Sequence, residues 1–165
     1  MTEHRIGDIT IRPFDAKRDS EPVQVIVGEI WGGGDDALME KEFGVIGGRR
    51  WSEWMSQSVL SYLQADGARS FVAEQNGDVI GFCSYVIDDA RKRGTVGYNG
   101  VALNHQGLGI GSAMLDFVMS RIRAEGMEYA AVIVADNEEH APARRNYEKH
   151  GFHRLMGNHY MVQKL

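Results

Sequence analysis

Gln106-Gly-Leu-Gly-Ile-Gly-Ser112 is the segment whose residue types and spacing suit it best to chemistry. Gly107, Gly109 and Gly111 let a backbone approach a ligand closely. They stand where an apolar, strand-like run gives way to an amphipathic helix pattern. The head of such a helix offers free N–H groups and the positive end of a dipole. The segment therefore reads as an anion site suited to phosphate or pyrophosphate. Two nucleotide motifs do not fit it. A Walker loop needs Gly-Lys-Ser/Thr at the helix start, and Gly111-Ser112 has no lysine before it. A dinucleotide fingerprint needs G-x-G-x-x-G/A and a later acid. Here Ser112 or Met114 falls at the third glycine, and Glu128 is the one acid between Met127 and Ala135.

The elements that must position this loop follow from pattern. Ile9 to Phe14 alternates and reads as a strand. Asp19-Ser-Glu-Pro22 offers cap chemistry for a helix over 23–31, which Gly32-Gly-Gly-Asp-Asp36 ends. After a second break at Gly47-Gly48, Trp51, Trp54, Met55, Val59, Tyr62 and Leu63 recur at helical spacing over 50–64. Strands over 70–75 and 79–87 flank Asn76-Gly77, a hairpin turn signal. Asp88 to Arg93 is a charged connection, and 95–103 is a strand interrupted by glycines, which mark a bulge or a close ligand approach. Ile110, Ala113, Met114, Phe117, Val118 and Ile122 share one face of a helix over 109–125 that Gly126 stops. The continuous apolar run 129–135 reads as a strand buried on both faces. A helix from Pro142 to His150 stops at Gly151, and 160–165 is a last strand. The order β-α-α-β-β-β-α-β-α-β predicts one α/β domain over 1–165, with a mixed, mostly antiparallel sheet and flanking helices.

Composition narrows the class. The chain has 165 residues, 43% apolar and 25% charged, with a net charge of -5. That balance speaks against a nucleic-acid partner. The longest uncharged stretch, Thr95 to Leu115, is too rich in glycine and polar residues to span a membrane. The first residues lack the apolar core of a signal peptide. The lone cysteine, Cys83, allows no intrachain disulfide and reads as a buried hydrophobe, as expected of a cytoplasmic protein. His150 and His153 flank a helix–strand break, which is poor metal spacing, so no metal is expected.

Gln106-x-x-Gly109-x-Gly111 resembles the Q/R-x-x-G-x-G/A signature of the GNAT acyl-CoA-dependent acyltransferases. Val101-Ala-Leu103 stands where that family has its splayed fourth strand. Ala143-Arg-Arg-Asn-Tyr147-Glu-Lys-His-Gly151-Phe152 is similar to its later helix. The resemblance covers roughly 70–165 and implies a GNAT-type fold with acetyl-CoA as cosubstrate. It further implies that the backbone of Val101 and Leu103 pairs with the pantetheine arm. The amides of Gln106, Gly107, Leu108, Gly109, Ile110, Gly111 and Ser112 would hold the pyrophosphate, and the amide of Val101 or Ala102 would polarise the thioester carbonyl. His140 takes the place of a family asparagine and Asn137 lies three residues earlier. Either meets the cofactor, while His140 equally suits a structural role beside Pro142.

Tyr147 matches the tyrosine that protonates the leaving thiolate, and its ring equally suits packing against Phe152. The strand carries no carboxylate. Asn99 can orient a water but not take a proton, which leaves the base to a water relay or to Asp35, Asp36 or Glu40. Trp31, Trp51 and Trp54 read as core or as an acceptor wall, and Gly32 to Asp36 as a lid or a solvated loop. The implied activity is transfer of an acetyl group to a primary amine, on a small molecule or a peptide, by direct attack in a ternary complex. The alternative is a noncatalytic acyl-CoA-binding or regulatory domain. A homodimer is ordinary for the family.

Overall fold

The computed structural model describes residues 3–31, 35–157, 161 and 163. A turn at Gly7-Asp8 folds β1 (His4–Ile6) antiparallel onto β2 (Ile9–Pro13). The alternating pattern marks the second of these strands but not the first, because His4 and Arg5 supply no apolar period. α1 (Ala16–Trp31) starts earlier than expected, since Asp15 Oδ1 accepts the Lys17 N–H at 2.9 Å and caps it. Pro22 therefore lies inside the helix, and Asp19 is carried inward instead of capping.

α2 (Asp35–Phe43) is an additional helix, packed on α3 (Trp51–Leu63). Its weak amphipathicity hid it from the pattern. β3 (Arg69–Gln75) and β4 (Asp78–Asp88) form the expected hairpin, with Asn76 at φ 53° and Gly77 at φ 93°. β5 (Arg93–Val96), β6 (Gly100–Val101), α4 (Ile110–Ala124), β7 (Tyr129–Val132) and α5 (Ala141–Lys149) follow.

These strands build one sheet in the order β1-β2-β3-β4-β5-β7, with β6 also on β4. All neighbours are antiparallel except β5 and β7. The α/β class, with its mixed, mostly antiparallel sheet and flanking helices, is as the sequence predicts. The central strands bury both faces. On one face Phe71, Cys83 and Tyr85 meet Met114, Phe117, Val118 and Ile122 of α4. On the other Val72 and Phe82 meet Val23, Val27, Val59 and Leu63 of α1 and α3. Each such large side chain taken fully from water contributes about 1.5–3 kcal/mol.

The run 129–135 departs from expectation. Its strand ends at Val132, Tyr129 is 51% exposed and Ile133 is 87% exposed. Among the described residues β7 pairs with β5 alone, so its apolar run lines an edge of the sheet. The strand expected over 160–165 falls largely outside the described residues, and Met161 and Gln163 belong to no element.

One buried ionic knot ties β2, α1 and β3. Arg12 donates from both terminal nitrogens to Asp19, at 2.7 and 2.8 Å, and from Nε to Glu74 at 2.8 Å. Asp19 also accepts the Asp15 N–H at 2.8 Å.

Sheet and α4 touch most closely at Gly94. A Cβ there would sit 2.3 Å from Ile122 Cγ2, and Ile122 is buried and branched at Cβ, so it cannot swing aside. Gly94→Ala is expected to cost about 1–3 kcal/mol by overpacking. Thermal unfolding checks it, and an unchanged Tm would refute the close packing.

Candidate active site

The site grows from a miscount between two strands. β4 pairs Tyr85 with Val96 of β5 and Phe82 with Gly100 of β6. Two residues, Cys83 and Ser84, therefore oppose three, Gly97, Tyr98 and Asn99. This is a β-bulge. Buried Ser84 stitches it: Gly97 N–H donates to Ser84 O at 2.8 Å, and Ser84 Oγ donates to Tyr98 O at 2.9 Å. β7 pairs with β5 as far as Val96 and Val132, then parts from the strand that continues into β6. Beyond that point β6 stays on β4, and residues 133–135 lie outside any strand.

Ala102 N–H donates to Ile80 O at 3.0 Å, so its amide is committed to the sheet. Alternation along an antiparallel ladder then turns the polar groups of Val101 and Leu103 away from β4. Their partners agree. Val101 O accepts Gln106 Nε2 at 3.1 Å, and Leu103 N–H meets Glu29 Oε2 at 3.4 Å. Of the two amides expected to polarise a carbonyl, only that of Val101 faces the open side.

A short turn, Leu103–His105, leads into the glycine loop. Gly109 is the N-cap of α4 in a left-handed conformation, φ 81°, which a side chain rarely adopts. No side chain caps this helix, and its first turn holds no acid. The first N–H with an acceptor is that of Ala113, which bonds Gly109 O at 3.0 Å. The N–H groups of residues 107–112 meet none among the described residues. Ile110 is buried and anchors the loop, and Gly111 packs beside Val101. Ser112 Oγ lies 3.3 Å from His150 Nε2, whose Nδ1 donates to Asn146 O at 2.7 Å, so the loop is tied to α5.

Two expected residues meet directly. Asn99 Nδ2 donates to Tyr147 Oη at 2.9 Å and to Gly97 O at 3.0 Å. Both amide hydrogens are used, which fixes the side chain. Tyr147 accepts there and keeps its own O–H free to donate elsewhere. Tyr147 is 7% exposed, and burial pushes its phenol above the usual range while the Asn99 bond pulls more weakly the other way. Its ring also packs against Phe152 at 5.7 Å. Asn137 and His140 form a local pair, with Asn137 Oδ1 accepting the His140 N–H at 3.2 Å and facing its ring. Arg144 secures the same turn by donating to Ala135 O at 2.7 Å and to Asn137 O.

Glu40 caps α3 through the Trp51 N–H at 3.0 Å and pairs with Arg50, whose bonds hold its carboxyl below the usual range. It is occupied as structure, not poised as a base. The side chains of Asp35 and Asp36, and residues 32–34 of the expected lid, lie outside the described residues. Glu29, at Leu103, is the N-terminal carboxylate that the sequence did not single out. It borders the stripe Val23, Ile26, Val27 and Ile30, but the stripe does not say which strand it meets. Trp51 and Trp54 line a 170 Å³ pocket with Met39, Glu40, Ile46 and Arg49, apart from this cleft. Trp31 instead stands beside Tyr98, 5.9 Å between centroids. Among the described residues no cluster could hold a metal, and no helix is long and apolar enough to cross a membrane.

A sequence comparison with curated proteins finds no relative. Solved structures share the fold. The Escherichia coli ribosomal-protein-S18-alanine N-acetyltransferase matches with a TM-score of 0.66 at 19% identity, over 90% of this chain and 79% of its own. An aminoglycoside N-acetyltransferase solved with CoA matches with a TM-score of 0.64 at 16% identity, over 100% of this chain and 98% of its own. IAA acetyltransferase from Bacillus cereus matches with a TM-score of 0.62 at 18% identity, over 90% and 79%. A family model, the Acetyltransferase (GNAT) family, matches residues 36–152. With that model spanning most of a chain of this fold, the protein belongs to the GNAT family of acetyltransferases.

Proposed function

We propose that this single-domain, cytoplasmic enzyme moves the acetyl group of acetyl-CoA to a primary amine by direct attack in a ternary complex. The observation that carries this reading is the Asn99–Tyr147 hydrogen bond at the strand break, which sets a protonated phenol beside the bulge. The cleft suits the cosubstrate. N–H groups over 107–112 that meet no acceptor among the described residues, with no carboxylate in the first turn of α4, suit a pyrophosphate. The outward groups of Val101 and Leu103 would meet an amide-bearing arm in exchange for Gln106 and Glu29, which hold Val101 O and the Leu103 N–H, and Asn137 and His140 are the expected contacts from the other wall. Bound acetyl-CoA supplies a thioester carbon open to a nucleophile and a sulfur able to leave with the electron pair.

The Val101 N–H then faces the carbonyl oxygen as its charge grows. Tyr147 donates its free O–H to the departing sulfur. The amine must be neutral to attack, and alkylammonium ions titrate near pH ~10, so water must carry its proton away. Cys83 takes no part, since full burial pushes its thiol up to about 12. A calorimetric titration with acetyl-CoA, with NAD as control, tests the reading. Saturable binding of acetyl-CoA alone is expected. A protein that ignores acetyl-CoA would end it.

A further inference from the structure

The bulge sets Gly97 and Tyr98 on one face of the strand, and alternation turns Asn99 to the other. Asn99 turns to the α5 face and meets Tyr147. Tyr98 turns to the α1 and α3 face, where its ring stands edge-on to Tyr62 at 5.2 Å. Tyr62 also touches the backbone of the bulge: a Cβ built on Gly97 would lie 2.6 Å from Tyr62 Oη. Gly97 is the residue whose carbonyl anchors Asn99. A tyrosine in a packed setting usually finds a partner for its hydroxyl. Among the described residues Tyr62 Oη has none, and the residue is half-buried. Trp31 and Tyr98 beside it present aromatic surface that favours a cation on approach. The exposed Glu29 carboxylate at Leu103 adds negative charge nearby.

We propose that Tyr62 is the acceptor-side residue of the transfer, its Oη accepting a hydrogen bond from the attacking primary amine on the α1/α3 face of the bulge. Tyr147 serves the opposite face. The assignment rests on the acetyl-transfer reading above. The amine nitrogen uses its lone pair to form the N–C bond, and the C–S bond breaks with its pair going to sulfur. Sulfur takes the Tyr147 proton, which water later restores. The proton lost by nitrogen passes to Tyr62 Oη as the phenol hands its own hydroxyl proton to water, so Tyr62 ends the step neutral. Burial pushes the Tyr62 phenol up, with Tyr98 adding to it, so Tyr62 remains an un-ionised phenol.

Tyr62→Phe tests this, because it keeps the ring against Tyr98 and removes only the oxygen. Wild type and variant are compared with a polyamine, an aminoglycoside and an alanyl peptide. Acetyl-CoA binding and thermal unfolding serve as references. The expected result is a fall of about 10-fold in kcat/KM for each amine turned over, the worth of one hydrogen bond. Acetyl-CoA binding and the Tm should stay at wild-type values. Amine transfer within two-fold of wild type, or a matching loss of acetyl-CoA binding, would overturn it. So would a wild type that binds acetyl-CoA but acetylates none of the three, an outcome that leaves the cosubstrate reading intact. Failure to bind acetyl-CoA at all would instead fall on that reading.

Discussion

Asp19→Ala is expected to destabilise the protein by about 3–5 kcal/mol, because it strands the Arg12 guanidinium in a buried place without its partner. Asp19 is fully buried and Arg12 nearly so. Removing the carboxylate ends two charge-assisted bonds from Arg12 and one from the Asp15 N–H. Glu74 remains on Arg12 Nε and moderates the loss. A domain holds only about 5–15 kcal/mol in all, so the variant should be partly unfolded at moderate urea. Urea titration of wild type and variant reads the difference directly, and a loss under about 1 kcal/mol would show that the knot is not structural.

The same group sets an acid limit. Burial raises the Asp19 carboxyl, but the Arg12 bonds, the Asp15 N–H and the nearby charges outweigh it, and the net shift is downward. A lowered folded value means the contribution is full above the unfolded carboxyl pKa of about 3.9 and drains as pH falls through the folded one. Wild type should therefore weaken below pH ~4, and Asp19→Asn should flatten that slope.

Tyr147→Phe is expected to lower kcat by about 100-fold, the usual worth of a positioned general acid. The ring, and so the contact with Phe152, is kept, which leaves the KM for acetyl-CoA near wild type. The pH profile sharpens the test. Burial raises the phenol above its ordinary value near 10, so the acid form persists at every lower pH. Wild-type kcat should then show no alkaline fall from Tyr147 below pH ~10. Steady-state kinetics across pH settles it. Unchanged turnover in the variant would leave Tyr147 as a packing residue alone.

Much of this was legible because the decisive signals are local. Asn76-Gly77 and Gly126 mark a hairpin turn and a helix stop, and all three residues adopt the positive φ these need. The apolar face of α4 appears at its expected spacing. Other features depend on partners far away in sequence. Asp19 resembled a cap until Arg12 and Glu74 closed on it. Glu40 looked available until Arg50 took it. Ala102 and Val101 are equivalent in sequence, and only the register with Ile80 separates their amides. The strand over 95–103 was flagged for bulging by its glycines, but the extra residue could be placed only by counting against β4.

That extra residue also decides which way the next strand residues point. Before the bulge, even-numbered positions such as Gly94 and Val96 face α4; after it, even-numbered Gly100 faces Ile30 of α1 and odd-numbered Val101 packs toward α4. The parity of the strand is inverted at a single step. The step leaves Gly97 and Tyr98 together on the Tyr62 side and Asn99 on the Tyr147 side. Point substitutions can change what each side offers, but only the gain or loss of a whole residue can exchange the sides. For this segment, length is the inherited trait that matters most.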